Sequence, residues 1–417
     1  MMEIKPLTEC NAVVTLPGSK SYTHRALVVS ALADGESLLT NTLCSEDTDY
    51  TMKGLHTFGV TFRREEDGLH IVGSGGKLRA GEKLFVGNSG TSMRFLCALA
   101  ALGNGHTVLD GSERMRRRPM AGLLEGLGAL GVRTYSEDGS GYPPVTVESQ
   151  GIKGGVAKIR SDETSQFLSA VLMVAPYAER DVCLEVIGLL SSRPYVDMTL
   201  GVMSAFGVEV QQKEYRSFFV KAGQRYLPRT YPIEGDASNA SYFFSAAAVT
   251  GGKVKVENFP SASVQGDSAF LSILENMGCD VTRSDGWAEV QGGELRGIEI
   301  DMKGMPDLVP TLAVTAAFAR GKTVIKDIGH LRFKESDRIT ALATELSKLG
   351  IHVEEGSDWM KVEGGKMHGA EIETYNDHRL AMSFSIAGLA VPGVKIKGER
   401  CVDKSFPSFW ETLKKLY

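Results

Sequence analysis

The chain lacks the apolar runs that a membrane protein needs. Its longest, such as residues 167–178, are too short to span a bilayer. It also lacks an excess of positive charge. A formal net charge of -5 argues against a nucleic-acid partner, which wants a basic face. No G-x-G-x-x-G follows an expected strand, and no G-x-x-x-x-G-K-[ST] is present, so nucleotide sites of those kinds have no support. Cysteine is sparse. Cys10, Cys44, Cys97, Cys183, Cys279 and Cys401 form no C-x-x-C pair and no metal-ligand spacing, so they read as reduced and mostly buried. The first residues, M-M-E-I-K-P, contain no secretory apolar segment, and a cytoplasmic location is expected. At 417 residues the chain is too long for one ordinary core, so two domains are expected.

What the chain does have is a period. An amphipathic helix, a glycine and a β-rich run recur at Gly59, Gly131, Gly207, Gly278 and Gly350, with gaps of 72, 76, 71 and 72 residues. Such a glycine ends a helix in the left-handed conformation, where a Cβ is unwelcome. A constant period marks a repeated supersecondary unit. A second series agrees with it. Helices rich in small residues begin near Lys20, Gly90, Ser165, Ala237, Asp307 and Asp377, with gaps of 70, 75, 72, 70 and 70. Each start carries Ser, Thr, Asn or Asp, the residues of an N-cap. Each unit therefore reads strand, buried helix, strand, loop, surface helix, glycine, strand. Six units fill the chain, three to a domain.

The sixth unit ends without a closing strand, and the segment before residue 15 has no place in the first. The N-terminal segment is expected to supply the missing strand. The expected domains are then 16–234 and, for the second, 1–15 with 235–417. The helix starts would face a cleft between mobile halves. Helix N-termini carry unsatisfied N–H groups and partial positive charge, so such a cleft suits anions.

The residues at these starts sharpen that expectation. Ser19, Lys20 and Ser21 open the first unit, with Arg25 one turn on; Asn88, Ser89, Gly90 and Thr91 open the second, with Arg94 following. Arg114 to Arg118 form a basic run that is either a solvated face or, at Arg118-Pro119, a clamp for carboxylate or phosphate. Thr164, Ser165 and Gln166 suit a polyhydroxylated ligand, and Ser192 and Tyr195 lie in the matching loop. Asp307 reads as an N-cap or a general base. Lys334, Glu335 and Arg338 fall within about one helical turn, so the cations could tune Glu335 for proton transfer, with a surface ion-pair cluster as the plainer alternative. Asp377-His378-Arg379 opens the sixth unit and sets a titratable imidazole beside a fixed cation; Lys404 lies in the loop that follows.

Ten segments in order, L-P-G-S-K-S with Arg25, G-N-S-G-T-S-M-R, R-R-P, S-Q-F-L-S-A, S-R-P-Y, G-D-A-S-N-A-S-Y-F, P-D, K-E-S-D-R, Y-N-D-H-R and D-K-S-F-P, make the chain resemble the enolpyruvyl transferases from end to end. Within that family it is similar to the branch acting on 3-phosphoshikimate. The resemblance implies two inverse α/β domains of three repeats each, facing across a cleft. It also implies transfer of the enolpyruvyl group of phosphoenolpyruvate to the 5-hydroxyl of 3-phosphoshikimate, with no metal and no organic cofactor. By that resemblance Lys20, Arg118, Arg338, Arg379 and Lys404 would hold phosphoenolpyruvate, with Gly90 allowing close approach. Ser21, Arg25, Thr164, Ser165, Gln166, Ser192 and Tyr195 would hold shikimate phosphate, and Asn88, Thr91, His330 and Lys334 would also meet substrate. Asp307 would take the hydroxyl proton, Glu335 would protonate the methylene carbon, and Lys20 and His378 would assist. Thr164, His330 and Phe95 depart from the family's commonest residues, which are serine, asparagine and proline. A monomer without nucleic-acid or membrane partners is expected. The alternatives are a UDP-N-acetylglucosamine enolpyruvyl transferase and a non-catalytic anion-binding repeat protein.

Overall fold

A computed structural model describes residues 1–7, 9–260 and 263–417. They divide into two compact units, Gly18–Ile233 and the pair of segments Met1–Pro17 and Glu234–Tyr417. The helices of the first unit are α1 (Lys20–Leu32), α2 (Glu46–Thr57), α3 (Gly90–Ala100), α4 (Ala121–Ala129), α5 (Gln166–Val174) and α6 (Arg193–Ala205). Those of the second are α7 (Ala237–Thr250), α8 (Phe270–Met277), α9 (Val309–Ala316), α10 (Arg338–Lys348), α11 (His378–Ala390) and α12 (Phe409–Leu413). Among the described residues no helix is long and apolar enough to cross a membrane.

The repeat is α/β. In the second repeat the strand Lys83–Phe85 leads into α3 and pairs in parallel with Asn104–Asp110, which follows α3. After α4 comes a hairpin of Arg133–Ser136 and Val145–Gln150, whose second strand lies antiparallel to Asn104–Asp110. The third and fifth repeats have the same order. The expected single closing strand is thus a hairpin. Gly59, Gly131, Gly207, Gly278 and Gly350 all have φ between 84° and 110°, the left-handed ending that the period predicts.

The odd-numbered helices are the buried ones. All residues of α1 from Tyr22 to Leu32 are buried, as are Ala237–Ala248 of α7 and His378–Leu389 of α11. Small side chains let such helices pack closely, but their hydroxyls must then find partners inside the core. In the second unit Ser241 meets Thr311 at 3.1 Å, Ser245 meets Thr315 at 2.7 Å and Thr311 meets Ser383 at 3.4 Å, tying α7, α9 and α11 together.

The first and fourth repeats exchange their leading strands. Asn11–Thr15 leads into α1 but pairs with Lys253–Glu257 of the fourth repeat. Thr230–Pro232 leads towards α7 but pairs with Glu36–Thr40 of the first. Each exchanged strand is latched by an asparagine at positive φ. Asn258 Nδ2 donates to Leu16 O at 3.0 Å, and Asn41 Nδ2 donates to Ile233 O at 2.8 Å. The glycine beyond each latch has no alternative, because a Cβ on Gly18 or Gly235 would lie 1.8 Å from the carbonyl oxygen of Asn41 or Asn258. The N-terminal segment also contributes Met2–Glu3, antiparallel to Lys395–Ile396 in the three-stranded sixth sheet. The N-terminal segment therefore serves two sheets, where the sequence suggested one.

The cysteines depart from expectation. All six are free thiols, but Cys10, Cys97 and Cys279 are buried while Cys183 and Cys401 are half-buried and Cys44 is exposed.

Candidate functional site

In the Gly18–Ile233 unit the residues singled out by sequence gather around the starts of α1, α3 and α5. Ser19 caps α1, accepting from Tyr22 N, and Ser89 caps α3, accepting from Ser92 N. Capping frees the next residues from local bonding and presents them at the positive end of the helix. Lys20 Nζ lies 3.1 Å from Asp47 Oδ2, with 12% of the lysine side chain exposed. Asp47 comes from the first turn of α2 and has no signal in the sequence beyond its charge.

Around α3, Arg118 Nη1 donates to the Asn88 carbonyl at 3.0 Å and lies 3.5 Å from Asn88 Oδ1. Arg94 returns to Gly90 O at 3.1 Å and reaches Pro119 O at 2.9 Å. Gly90 sits between the two guanidinium groups; a Cβ there would lie 2.4 Å from Arg118 Nη2 and 2.6 Å from Arg94 Nη1. The basic run divides. Arg116 and Arg117 are exposed, pairing with the buried Asp110 and the exposed Glu113, whereas Arg118 turns inward and is buried. The outer arginines of the run are thus paired at the surface, and Arg118 is set apart from them.

Gln166 Nε2 donates to Thr91 Oγ1 at 3.1 Å and joins the starts of α3 and α5. Ser165 makes no side-chain cap; instead Thr164 Oγ1 accepts from Gln166 N at 3.2 Å. Arg25 is buried and spans from α1 to α6, donating to Ser21 O at 2.9 Å, Tyr195 O at 2.9 Å and Thr199 Oγ1 at 2.7 Å. Burial draws its pKa down to about 10, with partial compensation from Tyr195 and Tyr22. Ser192 precedes α6 in the left-handed region, with φ 54° and ψ 53°. A serine held there is strained and marks an over-determined loop.

In the other unit the charged residues form one network around Arg338. This guanidinium is 1% exposed and meets three carboxylates: Asp377 at 2.8 Å, Glu335 at 2.9 Å and Asp307 at 3.0 Å. Burial opposes its charge, but Asp377, Glu335 and Asp307 more than offset that and hold its proton more tightly than usual. Arg379 Nη2 takes the other oxygen of Asp307 at 2.8 Å, and its Nη1 donates to Tyr242 OH at 3.1 Å. Lys404 Nζ lies 3.9 Å from Glu335 Oε1, and His378 Nδ1 lies 3.6 Å from Asp377 Oδ1. Ser336 Oγ donates to Asp377 Oδ2 at 3.0 Å.

Two local expectations change. Asp307 is no N-cap: it lies in the 3-10 turn Pro306–Leu308, and its carboxylate serves two arginines. Lys334 and Glu335 do not share a helix with Arg338. They precede α10, whose cap is Asp337, and Arg338 is its first residue. The turn 329–333 also buries His330 Nε2 without a hydrogen-bond partner among the described residues. Its pKa is drawn down to about 3, first by burial and then by Lys334, so the imidazole is neutral.

Sequence reasoning passed over Asp47, Tyr242, Asp267 and the structural part of Asp377. Asp377 was visible at the start of its helix, but nothing in the sequence ties it to Arg338, 39 residues away. Chemically, one unit offers lysine, arginine, hydroxyl and amide groups. The other offers two carboxylates, Asp307 and Glu335, bridged by a single buried cation.

A family model described as EPSP synthase (3-phosphoshikimate 1-carboxyvinyltransferase) matches residues 4–413. A 3-phosphoshikimate 1-carboxyvinyltransferase of Nostoc punctiforme is 50% identical over 404 residues, 96% of this chain and 95% of that protein. Another, of a Sulfurovum species, is 43% identical over 419 residues, 99% of this chain and 98% of that one. The solved EPSP synthase of Acinetobacter baumannii superposes with a TM-score of 0.83 at 29% identity, covering 99% of this chain and 97% of its own.

Proposed function

The chain belongs to the EPSP synthase (3-phosphoshikimate 1-carboxyvinyltransferase) family, and from that premise we propose how its side chains divide the reaction. The enzyme transfers the enolpyruvyl group of phosphoenolpyruvate to the 5-hydroxyl of 3-phosphoshikimate and releases phosphate. In our reading Glu335 gives a proton to the methylene carbon of phosphoenolpyruvate. Asp307 takes the proton of the 5-hydroxyl as its oxygen bonds to the neighbouring carbon. The tetrahedral intermediate then loses phosphate, and the new methyl group returns a proton to Glu335. One acid and one base acting at two atoms are what this addition and elimination require.

The observation that carries this assignment is that Arg338 binds both Asp307 and Glu335. A fixed cation between an acid and a base holds their spacing and remains charged throughout. Lys20, Arg118, Arg338, Arg379 and Lys404 are assigned to phosphoenolpyruvate and to the departing phosphate. Positioned cations stabilise charge as it develops. Asn88, Gly90 and Thr91 are assigned to the same end of the substrates. Ser21, Arg25, Thr164, Ser165, Gln166, Ser192 and Tyr195 are assigned to shikimate phosphate, with His330 and Lys334 at its ring and His378 beside the phosphate. Arg338, Arg379 and Lys404 already face Asp307, Glu335 and Asp377. The incoming phosphate must therefore compete with these carboxylates for its cations. Free thiols at all six cysteines accord with a reducing compartment, and we assign the enzyme to the cytoplasm, acting as a monomer.

Asp307→Asn and Glu335→Gln test the assignment. Each should bind both substrates, by calorimetry, and lower kcat by about 100- to 10,000-fold. Wild-type kcat in either variant would remove that residue from its role. UDP-N-acetylglucosamine, offered as acceptor, should give no phosphate release.

A further inference from the structure

We propose that Asp267 is a positioning residue for Arg379: as a neutral acid it leaves Arg379 to Asp307, and as a carboxylate it competes for that cation and weakens the hold on phosphoenolpyruvate. The inference rests on the assignment of Arg379 above and adds a residue that the reaction itself does not touch.

The geometry centres on the first two turns of α7. Ser238 and Tyr242 are four residues apart, so they lie on one face of the helix. The Ser238 hydroxyl donates to Asp267 Oδ2, and Tyr242 OH accepts from Arg379 Nη1 at 3.1 Å. One helix face thus holds both the carboxyl and the guanidinium. The segment carrying Asp267 is pinned to the same helix start. Gln265 Oε1 accepts from Ala237 N at 3.2 Å, and Gln265 Nε2 donates to Gly235 O at 2.8 Å. Asp267 is buried, and its Oδ1 has no hydrogen-bond partner among the described residues. A buried carboxylate oxygen without a partner is costly, and the neutral acid costs less than the charge.

Among the described residues Asp307, Arg379 and Asp236 act on Asp267. Burial first, then Asp307, raise its pKa to about 7, while Arg379 and the Ser238 hydroxyl oppose the rise. Its proton therefore leaves within the physiological range. The negative charge then draws on Arg379, the cation that Asp307 holds at 2.8 Å.

The test is KM for phosphoenolpyruvate at pH 6 and pH 8 in wild type, Asp267→Asn and Arg379→Gln. The titration of the substrate phosphate is common to all three and cancels in the comparison. The wild-type KM should rise about tenfold more than that of Asp267→Asn between the two pH values, the effect of about one pKa unit of coupling. Equal rises overturn the inference. Arg379→Gln separates the two failures. A raised KM with equal rises in the other pair refutes Asp267 alone, while a wild-type KM refutes the assignment of Arg379 and the inference with it. If Asp267→Asn does not fold, Ser238→Ala serves. Removing a hydroxyl that favours the carboxylate should move the rise in KM to higher pH, and an unmoved rise refutes the inference.

Discussion

Replacing Gly90 by alanine isolates the hold on phosphoenolpyruvate from the stability of the fold. The new methyl would lie 2.4 Å from Arg118 Nη2 and 2.7 Å from Arg118 Cζ. Ordinary contact begins near 3.4 Å, so the guanidinium must retreat by 3.4 minus 2.4, or 1.0 Å. The obstacle is the end of a side chain and not backbone, so the helix itself can stay. Arg118 is not free to swing without cost, because Nη1 is held by Asn88 O at 3.0 Å. A charge-assisted hydrogen bond contributes about 1.5 to 3 kcal/mol, roughly ten- to a hundredfold in affinity. A misplacement of about 1 Å can by itself cost about a hundredfold. In a phosphate-release assay the KM for phosphoenolpyruvate should therefore rise about ten- to a hundredfold. The KM for 3-phosphoshikimate should change far less, and the melting temperature should shift by only a few degrees. A KM for phosphoenolpyruvate within twofold of wild type would refute the assignment of Arg118.

Two further predictions concern the other unit. Arg338→Gln strips one cation from three carboxylates, of which Asp377 is wholly buried, and should cost about 3 to 5 kcal/mol in urea unfolding. A loss below 1 kcal/mol would mean that the network does not depend on this guanidinium. His330 binds a proton in the unfolded chain below about pH 6.5 but in the folded protein only below about 3. Between those values the unfolded state binds more protons, so stability is full above pH 6.5 and is lost as pH falls towards 3. His330→Asn should accordingly lose melting temperature less steeply between pH 6.5 and 4.5, and parallel curves would contradict the buried neutral imidazole.

Sequence carried the repeat, because helix-ending glycines and capped helix starts are local features with a fixed period. It carried the placement of Lys20, Gly90 and Arg379 at those starts. It did not carry their partners. Asp47 meets Lys20 across 27 residues, and Thr199 meets Arg25 across 174, distances that no motif spans. Nor could it show that Asn11–Thr15 leads into one repeat and pairs in another, because alternation of side chains does not name a strand's neighbour. Of the two readings of Asp307, the cap fails for a related reason. A carboxylate before a helix is a cap by default, and only the arrival of Arg338 and Arg379 from residues 31 and 72 positions on recruits it elsewhere.

The division of labour between Asp307 and Glu335 is tested most directly in deuterated water. The purified enzyme, given phosphoenolpyruvate and 3-phosphoshikimate, should place deuterium on the methylene carbon of the product as phosphate is released. Glu335→Gln should do neither above about one-hundredth of the wild-type rate. Deuterium entering that carbon at the wild-type rate in Glu335→Gln would contradict the account.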